Sequence, residues 1–323
     1  MKNKNFMFSS LFLALLIFPI SSVFAEGKLE IRAISGFATN TTLTRTFEMF
    51  VEKINSDESS PIEINFIGGP EAMPPFQIGN AVKNGVVDMV LSTGAFYSNV
   101  MPAADALKLT NYSPQQLRAM GGWSKLQKIW KDEMNVHLLA FTNYGNQFHL
   151  YTNKLINSAQ LDGQRLRVTP IYRPFFAKLG AAVVQTAPGE VYTALERGVV
   201  DGYGWTMQGI FDLGLHEQTK YRVDPGFYQA EVTVMVNQRK WGSLTSDQKK
   251  YLTDSAIWLE SLNNENESIN KIERKRQSEA GMEVIELQGD EREKYLAVAR
   301  DAAWAEVMNN SKDVATKIKS IIE

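Results

Sequence analysis

Along this chain, short apolar runs alternate with longer segments whose apolar residues recur at helical spacing. Residues 29–34 read as a strand that stops at Ser35-Gly36. Residues 42–54 set Leu43, Phe47, Phe50, Val51 and Ile54 on one helical face. Residues 62–67 alternate as a second strand and end at Gly68-Gly69-Pro70. A short helix over 76–83 is closed by Asn84-Gly85, and 86–91 form a third strand. Ser113-Pro114 supplies an N-cap and a first-turn proline for a long helix. This order predicts a mostly parallel sheet with helices on both faces.

A second lobe starts near Asn143. It reads as strand 165–168, helix 170–179, strand 181–185, helix 188–197 and strand 199–203. Residues 229–236 have the alternation of a strand crossing between lobes. Thr245-Ser246-Asp247-Gln248 caps a very long helical segment reaching about Glu279, with a bend expected where 263–270 carry several asparagines. A last strand, 282–287, and a terminal helix follow. The expected organisation is therefore α/β and two-lobed, with mostly parallel sheets flanked by helices. Lobe 1 spans 26–142 and lobe 2 mainly 143–236. Residues 237–323 supply a long helix spanning the lobes and the elements that complete both. No low-complexity linker separates the lobes, which favours crossing strands and hinge closure.

Asn84-Gly85-Val86-Val87-Asp88-Met89 is echoed by Arg197-Gly198-Val199-Val200-Asp201-Gly202. One copy would be a common helix-to-strand turn. Two copies at matching places suggest paired lobes whose strand ends face one another across a cleft, where ligands of open α/β sheets sit.

The first residues follow the grammar of a secretory signal peptide: Lys2 and Lys4, an apolar stretch over 6–20, then Val23-Phe24-Ala25 as a cleavage site. Residues 1–25 are thus expected to be removed after Ala25, releasing an exported protein that a periplasm would retain. The formal net charge of −2 gives no basic footprint for nucleic acid. Cysteine is absent, which excludes disulfides, thiolate nucleophiles, Cys-ligated metal and a lipid-anchoring cysteine.

Catalytic patterns are missing. His137, His149 and His216 are dispersed, with no paired metal spacing. His149 alternates with Phe148 and Leu150 and is a candidate for the cleft face. Glu190 and Asp201 could form a carboxylate pair, but helix first-turn and strand-end hydrogen bonding is the commoner use of such residues. No catalytic residue, metal ligand or cofactor is assigned.

Binding chemistry is better represented. Arg165 and Arg167 share one strand face, and Arg167 precedes Thr169-Pro170 at the strand end. A guanidinium there either reaches the cleft, where its fork suits a carboxylate, or forms a surface ion pair. Tyr144, Phe148, Tyr172, Tyr203 and Trp205 cluster along the same rim, although aromatic stripes are more often core. The glycines of Gly202-Tyr203-Gly204-Trp205 would leave the backbone open beside a flat Trp wall. Thr93 and Asn146 complete the candidate lining.

The blocks Leu161-Asp162-Gly163-Gln164-Arg165-Leu166-Arg167-Val168 and Pro188-Gly189-Glu190 through Gly198-Val199-Val200-Asp201-Gly202 resemble the solute-binding subunits of tripartite ATP-independent periplasmic (TRAP) transporters, of the C4-dicarboxylate-binding type. The first-lobe run from Gly68-Gly69-Pro70-Glu71 to Val87-Asp88 is similar to that family as well, as is the long helix near Thr245. The resemblance implies a receptor with a two-lobed, type II-like periplasmic-binding-protein fold that closes on an organic acid and delivers it to integral-membrane TRAP permease subunits. It also implies that Arg167 holds the substrate carboxylate. Where many members carry a second arginine ahead of Thr152-Asn153, this chain has Gln147-Phe148-His149. Where many carry a polar residue after the Val-Asp-Gly strand, it has Trp205. The expected cargo shifts accordingly from a C4-dicarboxylate to a monocarboxylate, a keto or hydroxy acid, an aromatic acid or a sulfonate. Glu71 would add a hydrogen bond and Arg173 a second cation. The receptor of an ATP-driven importer and an exported enzyme acting on a small organic acid are the alternatives. Monomer and dimer are both left open.

Overall fold

The computed structural model describes residues 28–156 and 158–323. The expected signal peptide and its cleavage after Ala25 lie outside the described residues.

In chain order, the first part holds β1 (Leu29–Ser35), α1 (Thr42–Ser56), β2 (Ile62–Gly68), α2 (Ile78–Asn84), β3 (Met89–Ser92), α3 (Pro114–Ala119), α4 (Gly122–Met134) and β4 (Val136–Thr142). The second holds β5 (Gln147–Thr152), β6 (Arg165–Val168), α5 (Arg173–Lys178), β7 (Ala182–Gln185), α6 (Val191–Glu196), β8 (Gly202–Thr206) and β9 (Tyr221–Gln229). Then follow β10 (Val232–Asn237), α7 (Gln238–Ser243), α8 (Ser246–Ser261), α9 (Asn266–Glu279), β11 (Glu283–Glu286) and α10 (Gly289–Ile322). Among the described residues, no helix is long and apolar enough to cross a membrane.

Two sheets form two lobes, ordered β2-β1-β3-β10-β4 and β11-β9-β5-β8-β6-β7. Each sheet is parallel where β-α-β units built it. β1 pairs in parallel with β2 and β3, and β6 with β7 and β8. Each turns antiparallel where a crossing strand enters: β10 beside β3 and β4, and β5 beside β8 and β9.

The repeated Gly-Val-Val-Asp unit builds the same corner twice. Gly85 and Gly198 end their helices at φ 77° and 64°, in the left-handed region that favours glycine. The first valine of each unit is turned out to solvent. Asp88 accepts from the backbone N–H and the guanidinium of Arg32, and Asp201 accepts from the same groups of Arg165. Strands predicted at 86–91 and 199–203 therefore start later, at Met89 and Gly202, because these corners consume the first apolar residues.

Two further boundaries differ from the sequence expectation, and the bend expected in the long helix is present. Ser113 caps its helix as predicted, with reciprocal bonds to Gln116. The helix is nevertheless broken at Gly121, whose φ of 74° cannot be helical, so α3 and α4 are separate. The single strand expected over 229–236 is two strands in different sheets, parted at Ala230-Glu231. The long helix from Thr245 passes through a tight turn at Leu262–Glu265.

The asparagines that seemed only to weaken that helix tie it to the crossing backbone. Asn263, Asn266 and Asn270 donate to the carbonyls of Phe141, Tyr144 and Gly145 at 3.0, 2.8 and 2.7 Å. Buried backbone acceptors without a strand partner are thereby satisfied where the chain changes sheets. Asn146 belongs to this hinge. It is fully buried, and its side-chain oxygen accepts from the Gln208 N–H at 3.1 Å.

Candidate functional site

Between the lobes lies a cavity of about 240 Å³. That is at the small end for ligand pockets, which run to roughly 300–1,000 Å³. Lobe 1 contributes Phe37, Glu71, Thr93 and Phe96, and lobe 2 contributes Phe148, Arg167, Tyr172 and Trp205. Glu231 enters from the crossing between β9 and β10.

Arg165 and Arg167 do share a strand face, but only tertiary structure separates their roles. Arg165 sits at the strand start and forms an ion pair with Asp201 at 2.9 Å. Arg167 is 1% exposed and, among the described residues, belongs to no ion pair. Its Nη1 donates to the Tyr172 hydroxyl at 2.8 Å and its Nη2 to the Thr186 carbonyl at 2.7 Å, while Nε reaches Thr186 Oγ1 at 3.4 Å. A guanidinium has five N–H donors, so one remains on each terminal nitrogen. Burial pushes its pKa below the usual arginine value, with Tyr172 and Glu190 pulling the other way. A buried cation without an anion is expensive. Among the described residues no carboxylate is bonded to this cation, and Glu190 acts on it only at longer range.

The Gly202-Tyr203-Gly204-Trp205 strand works differently from the expectation. All of β8 is buried, so its glycines do not open the backbone to the cleft. A Cβ on Gly204 would lie 2.7 Å from the Tyr172 ring. Glycine thus lets Tyr172 lie against the strand, donate to the Gly204 carbonyl at 2.7 Å and hold Arg167. Trp205 does form a wall, its ring 5.7 Å from the Arg167 guanidinium carbon. Tyr203 points into the lobe 2 core, its hydroxyl 2.8 Å from that of Thr219.

Of the predicted site residues, the structure brings Glu71, Thr93, Phe148, Arg167, Tyr172 and Trp205 to the cavity. Asn146, Tyr203 and Arg173 are not on its wall; Arg173 opens α5 at the surface. Glu71 is positioned by the glycine turn after β2, where Gly69 donates to Oε1 at 2.6 Å. That backbone bond, and one to its own N–H, hold its carboxyl below the usual range. A Cβ on Gly69 would be 2.6 Å from the Phe37 carbonyl, which fixes glycine there.

His149 does not face the cleft. It is buried within lobe 2 and contacts Asp224 Oδ1 at 2.8 Å. Glu190 and Asp201 each have structural partners: Glu190 accepts from the Ala187 N–H at 3.0 Å, and Asp201 is bound by Arg165 and Lys154. Among the described residues, no cluster of three or more His, Asp or Glu side chains could hold a metal ion.

Sequence reasoning missed Glu231. It is 1% exposed, and burial pushes its carboxyl well above the usual range. Its signal was a lone acid inside an apolar β run, at the point where that run changes sheets. The mouth of the cavity was missed as well. There Asp212, from lobe 2, accepts from the Thr42 N–H in the first turn of α1 at 2.7 Å.

This chain is similar, at 25% identity, to a monocarboxylate 2-oxoacid-binding periplasmic protein of Nostoc sp., over 65% of this chain and 60% of that protein's length. The fold matches the TRAP periplasmic solute binding protein of Desulfovibrio salexigens solved with bound orotic acid, at TM-score 0.79 and 22% identity, covering 91% of this chain and 97% of that one. It also matches the TRAP periplasmic solute binding protein of Roseobacter denitrificans solved with bound L-galactonate, at TM-score 0.75 and 19% identity, covering 92% and 99%. The model of bacterial extracellular solute-binding protein family 7, DctP, matches residues 35–310, and the chain belongs to that family.

Proposed function

We propose that this chain is an extracytoplasmic receptor that closes on one small organic acid and presents it to a TRAP-type permease in the membrane. Residues 1–25 act as its export signal, cleaved after Ala25. The carrying observation is the buried guanidinium of Arg167, which lines the inter-lobe cavity with an N–H donor free on each terminal nitrogen and, among the described residues, belongs to no ion pair. A carboxylate completes that site bidentately. The aromatic wall of Phe37, Phe96, Phe148 and Trp205 suits a flat or apolar body. With a single cation on the wall, a monocarboxylate fits better than a dicarboxylate. Keto, hydroxy and ring acids are the favoured classes, in keeping with the 2-oxoacids, orotic acid and L-galactonate of the similar proteins. Among the described residues, the one wall hydroxyl beside a carboxyl, that of Thr93, donates to Glu231, whose burial disfavours the basic form, so capture without chemical change is the expected act.

The test is a thermal-shift panel of pyruvate, 2-oxobutyrate, 3-hydroxybenzoate, orotate, pyroglutamate and L-galactonate, with each acid quantified afterwards. Binding to the folded state raises Tm by linkage. At least one acid should stabilise the protein and be recovered intact. Stabilisation by none, or consumption of the one that binds, would refute the receptor reading.

A further inference from the structure

The cavity holds a second buried group that carboxylate capture does not use. Glu231 Oε1 accepts two hydrogen bonds, from the Gly94 N–H at 2.8 Å and from the Thr93 hydroxyl. Its Oε2 is shielded from water and has no hydrogen-bond partner among the described residues. A buried polar atom left this way is costly, and few are tolerated in a folded chain. Glu231 lines the cavity, so a bound molecule is the partner available to it.

The charge state follows from the surroundings. The charged side chains on the wall are Glu71, Arg167, Asp212 and Glu231: one cation against three carboxyl groups before any cargo arrives. Behind Glu231, Asp105 and Lys108 pair with one another, and the buried Tyr97 phenol lies near. Burial dominates and drives the Glu231 carboxyl upward; the hydrogen bond from Thr93 opposes it, Asp105 adds to it, and the Gly94 N–H and Lys108 oppose it more weakly, leaving the net shift upward. An anionic cargo entering beside an ionised Glu231 would meet an unscreened like charge. A neutral Glu231 avoids this. Because both protein donors sit on Oε1, the proton then belongs on Oε2.

We propose that Glu231 is a second recognition point for the cargo, its Oε2–H donating a hydrogen bond to a keto, hydroxyl or ring-carbonyl oxygen of the acid that Arg167 holds. This rests on the receptor reading above and narrows it. The site selects oxygenated, uncharged-bodied acids over plain alkyl or aryl acids and over ammonium-bearing ones.

The test is calorimetric titration of the purified protein with matched pairs: 2-oxobutyrate and butyrate, 3-hydroxybenzoate and benzoate, pyroglutamate and proline. In at least one of the first two pairs the oxygenated member should bind the wild type about tenfold tighter or more, the value of one good hydrogen bond. Proline should bind more weakly than pyroglutamate. Glu231→Gln keeps the shape, neutrality and a donor, so the preferred acid should stay within about threefold of wild type. Glu231→Leu removes the donor and should bring the members of a pair together. The wild-type pairs need no variant, so a misfolded Glu231→Leu does not spoil the test. Equal affinities within both oxygenated pairs would overturn the inference. So would a Glu231→Gln variant that loses binding while wild type prefers proline, since that pattern belongs to an ionised Glu231 gripping a cation. If no acid binds wild type at all, the receptor reading falls first and this inference with it.

Discussion

Replacing Arg167 by methionine should separate a binding cation from a structural one. In the ligand-free protein the guanidinium makes two good hydrogen bonds, to Tyr172 and to the Thr186 carbonyl, at 2.8 and 2.7 Å. Bonds from a charged donor are worth about 1.5–3 kcal/mol each. Against them stands the effective cost of burying a cation, several kcal/mol. The terms nearly cancel. Methionine fills most of the volume, and Tyr172 keeps its bond to the Gly204 carbonyl, so only the Thr186 carbonyl loses a strong donor. The ligand-free protein should therefore change in stability by no more than about 1–2 kcal/mol in either direction. Binding has no such offset. Two charge-assisted bonds to the carboxylate disappear, and about 3–4 kcal/mol is lost, a weakening of roughly 100- to 1,000-fold. Urea unfolding gives the first quantity, and calorimetry with the best acid of the panel gives the second. An affinity loss below about tenfold, or an unfolding loss above about 3 kcal/mol, would mean that Arg167 serves the fold and not the cargo.

Asp212→Ala removes the cap that lobe 2 places on α1 across the cavity mouth; losing about 0.5–1.5 kcal/mol from the closed form should weaken binding two- to tenfold, and small-angle scattering of the liganded protein should show a larger radius of gyration. Asn266→Ala strips a donor from the Tyr144 carbonyl and an acceptor from Gln208, and chemical unfolding should report a loss of about 1–3 kcal/mol. His137 stacks on Trp241 at 3.7 Å and is held neutral, burial pushing its pKa from 6.5 to about 4. The unfolded chain binds that proton more readily, so stability is full above pH 6.5 and falls as pH drops toward 4. The wild type minus His137→Asn difference should change by about 1–3 kcal/mol across that window, and a flat difference would contradict the assignment.

Local signals proved legible where their partners are local. Ser113 and Gln116, or Thr245 and Gln248, cap within three residues, and both caps form. Gly85 and Gly198 end helices because the chain there must turn left-handed. Signals became ambiguous where the partner is remote. Asn266 and Asn270 read as helix weakeners, since nothing nearby shows that they bond to Tyr144 and Gly145, more than a hundred residues back. Arg165 and Arg167 have the same alternation and neighbours. Only the return of Asp201 to the strand start tells which of them is neutralised. The run over 229–236 reads as one β segment, and its alternation cannot reveal that the chain leaves one sheet at Gln229 and enters the other at Val232, nor that the acid at the break is buried.

The repeated corner finally explains why the site is one-sided. Asp88 meets Arg32 in lobe 1 as Asp201 meets Arg165 in lobe 2, so the strands can be aligned residue for residue. Two positions on, Arg167 pairs with Tyr203 in the ladder between β6 and β8, and its counterpart Ile34 pairs with Val90 between β1 and β3. Lobe 2 thus spends this strand end on a cation, and lobe 1 spends the equivalent one on core, with Ile34 2% exposed. A site built evenly from both lobes would offer two cations and suit a dicarboxylate. This one offers a single cation from one lobe, facing aromatic rings and a buried carboxyl on the other side. The proposed preference for a singly charged acid accords with what the two copies of one corner do differently, and the proposed preference for an oxygen-bearing body rests separately on Glu231.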